Sequence, residues 1–193
     1  SWMLACGLPR AWLGQSSWCV LDTHFDDGQK FLALWQHWSS DPASPRILHV
    51  AAMTGNAPAW AQLRGVLDAH CDLAAHAGEL EEQWFGLLPG FHRLVLHGGR
   101  LLLTLCVGPV QQSLRELSFS ADSVLLDTDP AQTAHHNGVP GPAWDVWSTK
   151  ALARMCRPGT RLSLRGLATD LPTAEALTQA GFTESVAFPA AAA

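Results

Sequence analysis

Two rhythms of apolar residues alternate along this chain. Short apolar runs are separated by stretches in which apolar positions recur three and four residues apart, which predicts strands interleaved with helices. The run "SSWCVLD" (16–22) reads as a buried strand. After Gly28, residues Phe31, Leu32, Leu34, Trp35 and Trp38 follow helical spacing, until Pro42 and Pro45 stop them. "RILHVAAM" reads as a second buried strand. A helical region extends from Pro58 to Phe85, with a break expected near Gly78, and Leu87-Leu88-Pro89-Gly90 ends it. "FHRLVLHGGRLLLTLCVG" reads as a hairpin turning at Gly98-Gly99. Then come a short helix, "VQQSLREL", a strand, "ADSVLLD", and a polar loop from Thr128 to Ala143. "DVWSTKALARMC" reads as a helix closed by Arg157-Pro158-Gly159. "TRLSLRG" is a strand, "LPTAEALTQAG" a helix with Gly181 past its end, and "FTESVAF" a last strand.

This alternation predicts an α/β fold with a mostly parallel sheet and helices on both faces. In such sheets the ligand crevice lies beyond the carboxyl ends of the strands, at the point where strand order reverses. The segment from Asp22 to Gly28, Met53-Thr54, Gly108-Pro109 and Asp127 all fall at strand ends of this kind.

Composition narrows the class. The 193 residues, 48% hydrophobic and 15% charged, suit one globular domain over 1–193. No apolar run is long enough to span a bilayer, and the opening "SWMLACGLPRAW" has no secretory pattern. Five widely spaced cysteines without a C-x-x-C favour buried free thiols in a reducing, cytoplasmic compartment. A net charge of −5 provides no general attraction for a polyanion such as tRNA.

Several motifs together carry a family resemblance: "GLPRAW", "FLALWQHW", "LPGFHRL" followed by "GGRLLLTL", and "WSTKALARMCRPG". In register over nearly the whole chain, they resemble the methyltransferase domain of the bifunctional enzymes that make 5-methylaminomethyl-2-thiouridine at the tRNA wobble position. The resemblance implies a Rossmann-like class I S-adenosylmethionine (SAM) methyltransferase fold. It also implies methyl transfer to the aminomethyl nitrogen of the modified uridine, and a fused or separate FAD-dependent oxidoreductase as partner. By the same resemblance, the chain is expected to stop within the terminal strand pair.

The first loop departs from the family pattern, which resembles E-x-G-x-G-x-G-x-N. Asp22 keeps the acid and Gly28 the last glycine, whereas His24 and Asp26 replace the first two glycines and Lys30 replaces the Asn. Thr54, or Met53 if the register slips by one, stands where an acidic residue would hold the ribose hydroxyls, and Gly108-Pro109 replaces a Gly-Asp. Asp127 survives, and Pro130 and Trp147 have counterparts. Side chains at 24 and 26 intrude where glycine would let backbone approach a ligand. Asp26 or Asp27 could also occupy the helix N-terminal N–H groups that would otherwise favour the SAM carboxylate. The expectation is a degenerate methyltransferase-like domain with weak or absent SAM binding and a structural, partner-supporting role. The first alternative is an active SAM-dependent methyltransferase. Asp127 would then position the substrate amine, with Asp22, Phe25, Gly28, Thr54 and Gly108 lining the cofactor. The second is a protein-interaction module.

Other constellations read as structure. Asp127, Asp129, His135 and His136 match no closed zinc pattern, and no metal is expected. The spacing of His70, Cys71 and His76 does not put all three on one helix face. Nine Trp invite a base-stacking reading, but most lie in apolar patterns that favour core packing; Trp144 and Trp147, near the long loop, are the exceptions.

Overall fold

The computed structural model describes residues 1–128, 144–165 and 171–183. The chain enters through a short helix, α1 (Trp2–Ala5), and a 3-10 turn (Arg10–Trp12). It continues through β1 (Ser17–Asp22), α2 (Gln29–Ser40), β2 (Ile47–Thr54) and α3 (Trp60–Leu67). A 3-10 segment (Cys71–His76) leads into α4 (Ala77–Gln83), then β3 (Gly90–Leu96), β4 (Leu101–Val107) and α5 (Val110–Glu116). Beyond these lie β5 (Ala121–Asp127), α6 (Val146–Arg154), β6 (Cys156–Arg165) and α7 (Leu171–Gln179).

The strands form a single sheet in the order β3-β4-β2-β1-β5-β6. Among the described strands only the β3–β4 hairpin is antiparallel; the other neighbours run parallel. β1 lies between β2 and β5, so strand order reverses there, and Asp22 pairs in register with Ala52 on one side and Leu125 on the other. Two apolar layers cover the sheet. One unites α2, α3 and α4 with Val20, Leu48, Val50 and Leu103; the other unites α5, α6 and α7 with Leu21, Met53, Val124 and Leu126. Burial on both faces is why these strands read as continuous apolar runs.

Three details differ from the sequence reading. The helical region after Pro58 breaks at 68–70, and Gly78 lies in the first turn of α4. Arg157-Pro158-Gly159 does not close α6; these residues belong to β6, whose pairing with β5 shifts register between Ala121 and Ser123. β6 borders the sheet among the described residues, and such a strand tolerates a proline that donates no ladder hydrogen bond. No element was expected before Ser16, yet Cys6, Leu8 and Trp12 are buried in the first core layer. The last strand expected from "FTESVAF" falls mostly outside the described residues, as do Pro130, Asp129, His135 and His136.

Candidate functional site

The switch point puts the turn from β1 to α2 over the carboxyl ends of the parallel strands. Thr23 N–H donates to the Leu125 carbonyl at 3.0 Å, and Phe25 N–H to the Met53 carbonyl at 2.7 Å, so the turn is tied to β5 and to β2. Asp22 ends β1 with its carboxylate almost wholly buried. Its Oδ1 accepts from His24 N–H at 3.1 Å and from Lys30 Nζ at 3.0 Å. Lys30 Nζ also donates to the His24 carbonyl. The Lys30 side chain is 13% exposed and that of Asp22 6%, so the ion pair is internal. Burial pushes the Asp22 carboxyl above its ordinary range, and the facing Lys30 ammonium opposes that rise.

His24 and Asp26, which stand where the resembled pattern has glycines, face each other or the adjacent strands. Asp26 holds a left-handed φ of 58°, a conformation Asp adopts more readily than most residues. Its carboxylate lies 4.0 Å from His24 Nε2 and 3.8 Å from Arg165 at the end of β6. His24 Nε2 is buried without a hydrogen-bond partner. Asp27 Oδ1 accepts from Gln29 N–H at 2.9 Å, which occupies one of the donors at the start of α2 from within the chain. Gly28 has φ 86°; a Cβ there would lie 2.5 Å from Leu63 Cδ1 and 3.2 Å from the Phe25 ring. The close approach that glycine permits is therefore to α3 and to Phe25.

Phe25 has no exposed surface, and its ring stacks on Trp84 at 5.8 Å and packs beside Phe31 at 5.9 Å. Thr54, at the end of β2, donates its hydroxyl to the Asn56 carbonyl at 2.6 Å. Gly108 N–H donates to the Thr54 carbonyl at 2.8 Å, and the space a Cβ would occupy at Gly108 is open. Asp127 is buried at the end of β5; its N–H donates to Thr23 Oγ1 at 3.0 Å, and its carbonyl accepts from Trp144 Nε1 at 2.7 Å. Asp22, Thr54, Gly108 and Asp127 thus share one edge of the sheet, with Phe25 beneath it in the core. The Lys30–Asp22 pair was not anticipated; its only signal was a lysine at the second position of α2 where the family pattern has Asn.

The remaining candidates fall elsewhere. Trp144 is buried, unlike the exception it was expected to be, whereas Trp147 is 78% exposed. Among the cysteines Cys71 is exposed, Cys19 and Cys156 are half-buried, and only Cys6 and Cys106 are fully buried. Burial pushes the Cys106 thiol up to about 12, so it is inert. Among the described residues no group of His, Cys, Asp and Glu is placed to hold a metal. No described helix is long and apolar enough to cross a membrane.

Strand order, the antiparallel β3–β4 hairpin and helices on both faces define the class: a Rossmann-like methyltransferase fold. A solved structure of the same fold, MNMC2 from Aquifex aeolicus, matches 93% of this chain and 52% of its own with a TM-score of 0.55 at 14% identity. The chain is a relative of the tRNA 5-methylaminomethyl-2-thiouridine biosynthesis bifunctional proteins MnmC. It is 47% identical over 179 residues to that of Polaromonas naphthalenivorans, and 43% identical over 182 residues to that of a Polaromonas species. Each match covers 92% of this chain but only 26% and 27% of those relatives, so the chain spans about a quarter of their length. No family model matches it.

Proposed function

We propose that this chain is a methyltransferase-like domain serving tRNA wobble-uridine modification, in which the chain's own groups have taken over much of the SAM site. The observation that carries this reading is the buried Lys30 ammonium, 3.0 Å from Asp22 Oδ1. SAM presents an ammonium and a carboxylate. Here Lys30 supplies an ammonium to Asp22, and Asp27 supplies a carboxylate to the start of α2. A ligand would have to displace both, and Thr54 brings no carboxylate for a charge-assisted bond to ribose. The role is then to support an FAD-dependent oxidoreductase partner, as the bifunctional names of the relatives suggest. Phe85, Leu88 and Phe91, exposed beside and on the edge strand β3, offer apolar surface for such a partner.

Calorimetric titration with SAM and S-adenosylhomocysteine tests this. The chain is expected to bind neither tightly, and Lys30→Asn to gain at least about tenfold in affinity, as release of one charge-assisted contact allows. Micromolar SAM binding by the unaltered chain overturns the reading.

A second reading, an active methyltransferase, draws on the open space at Gly108 and the strand-end carboxylate of Asp127. Asp127 would position the substrate amine, and SAM, when bound, would supply the methyl group to it. Methyl transfer from labelled SAM to tRNA carrying the aminomethyl group, lost in Asp127→Asn, favours this reading over the first.

A further inference from the structure

Away from the strand-end turn, α5 and α6 bound a groove of about 460 Å³. Its wall on α6 is the stripe Trp147, Lys150, Ala151 and Arg154, spaced three, four and seven residues from its start, as on one helix face. Gln111 and Arg115, four residues apart, form the α5 wall. Three cations therefore line a groove in a chain of net charge −5, with Asp145 as the one lining carboxylate. That carboxylate is engaged already: its Oδ1 accepts from Ser148 N–H at 2.8 Å and from the Ser148 hydroxyl at 2.6 Å, capping α6.

The aromatic member is held ready. Trp147 is 78% exposed, and Lys150 Nζ lies 5.9 Å from its ring centroid. Trp144, three residues earlier, anchors the start of α6 through its bond to the Asp127 carbonyl. Arg154 donates to the Leu114 carbonyl at 3.1 Å and the Arg115 carbonyl at 3.5 Å, which fixes its guanidinium across the end of α5. Among the nine tryptophans Trp147 alone is exposed.

We infer that the α5–α6 groove binds single-stranded RNA, one base stacking on Trp147 and the flanking phosphates meeting Arg115, Lys150 and Arg154. An indole flanked by cations matches a ligand that is aromatic and anionic at once, as a nucleotide chain is. The inference rests on the tRNA-linked reading for the choice of RNA as the polymer. It does not depend on whether SAM binds.

Fluorescence anisotropy of the intact chain with a labelled oligouridine of about eight nucleotides, a length within single-strand site sizes, tests it. Trp147→Ala is expected to weaken binding about tenfold, and Trp147→Phe, which keeps a stacking face, far less. Three phosphate contacts predict a slope of about −2 in log affinity against log salt, falling by about 0.7 in Lys150→Gln. No binding at about 50 mM salt, equal binding by duplex RNA, or an affinity indifferent to Trp147→Ala overturns the inference. An oligodeoxyuridine of the same length separates the two failures: a Trp147-dependent affinity equal for the deoxy and ribo strands keeps the stacking groove and overturns RNA as its polymer, whereas no Trp147 dependence on either overturns the groove itself.

Discussion

The turn after β1 and the groove between α5 and α6 both begin where strands end, and they treat charge in opposite ways. In the turn, Lys30 and Asp22 face each other out of solvent and Asp27 accepts from the first N–H of the helix that follows. In the groove, Trp147, Lys150 and Arg115 are exposed, and the single carboxylate is tied to Ser148. Charged residue types alone do not distinguish a ligand site from a structural joint. The distinction lies in whether a charge meets an opposite charge of this chain out of solvent or stands at the surface.

The contrast is broken most directly at Lys30. Lys30→Met leaves a buried carboxylate without its cation, an uncompensated charge that costs about 3–5 kcal/mol. Because burial raises the Asp22 carboxyl, its contribution to stability is present below the ordinary carboxylate range and lost as pH rises through the raised value. Without Lys30 that loss is larger. The deficit of Lys30→Met, measured by urea unfolding, is therefore expected to be greater at about pH 8 than at about pH 5. An equal deficit at both would mean that the pair is not an internal charge interaction.

Gly28→Ala tests whether this glycine serves internal packing. A left-handed φ and a contact of 2.5 Å with Leu63 together predict a loss of about 2–3 kcal/mol. Leu63→Ala in the same chain should restore part of the glycine penalty in a double-mutant cycle; strict additivity would count against the contact. Asp27→Ala removes the acceptor of one helix-end N–H and should lower stability by about 0.5–1 kcal/mol in thermal unfolding. On the other side of the comparison, Trp147→Ala should change stability by less than about 0.5 kcal/mol, since its side chain is exposed. A larger loss in chemical denaturation would make Trp147 a packing residue and remove the contrast.

Much of this was readable in the chain itself. Strand and helix periodicity placed Asp22, Thr54, Gly108 and Asp127 at strand ends, and the structure brings these ends to one edge of the sheet. The spacing of Trp147, Lys150 and Arg154 is that of one helix face, but spacing does not say whether that face meets solvent or the next helix. The break after α3 was misplaced because a glycine was read as the interruption, whereas Gly78 fits within α4.

By itself the sequence determined an alternating α/β chain and its hairpin, because periodicity is a local property. Tertiary structure alone decided that Lys30 reaches back to Asp22, that Gly28 admits Leu63 and Phe25, and that α6 turns Trp147 outward. Each depends on which groups meet across elements and which are left to water. That is set by how the two layers pack on the sheet.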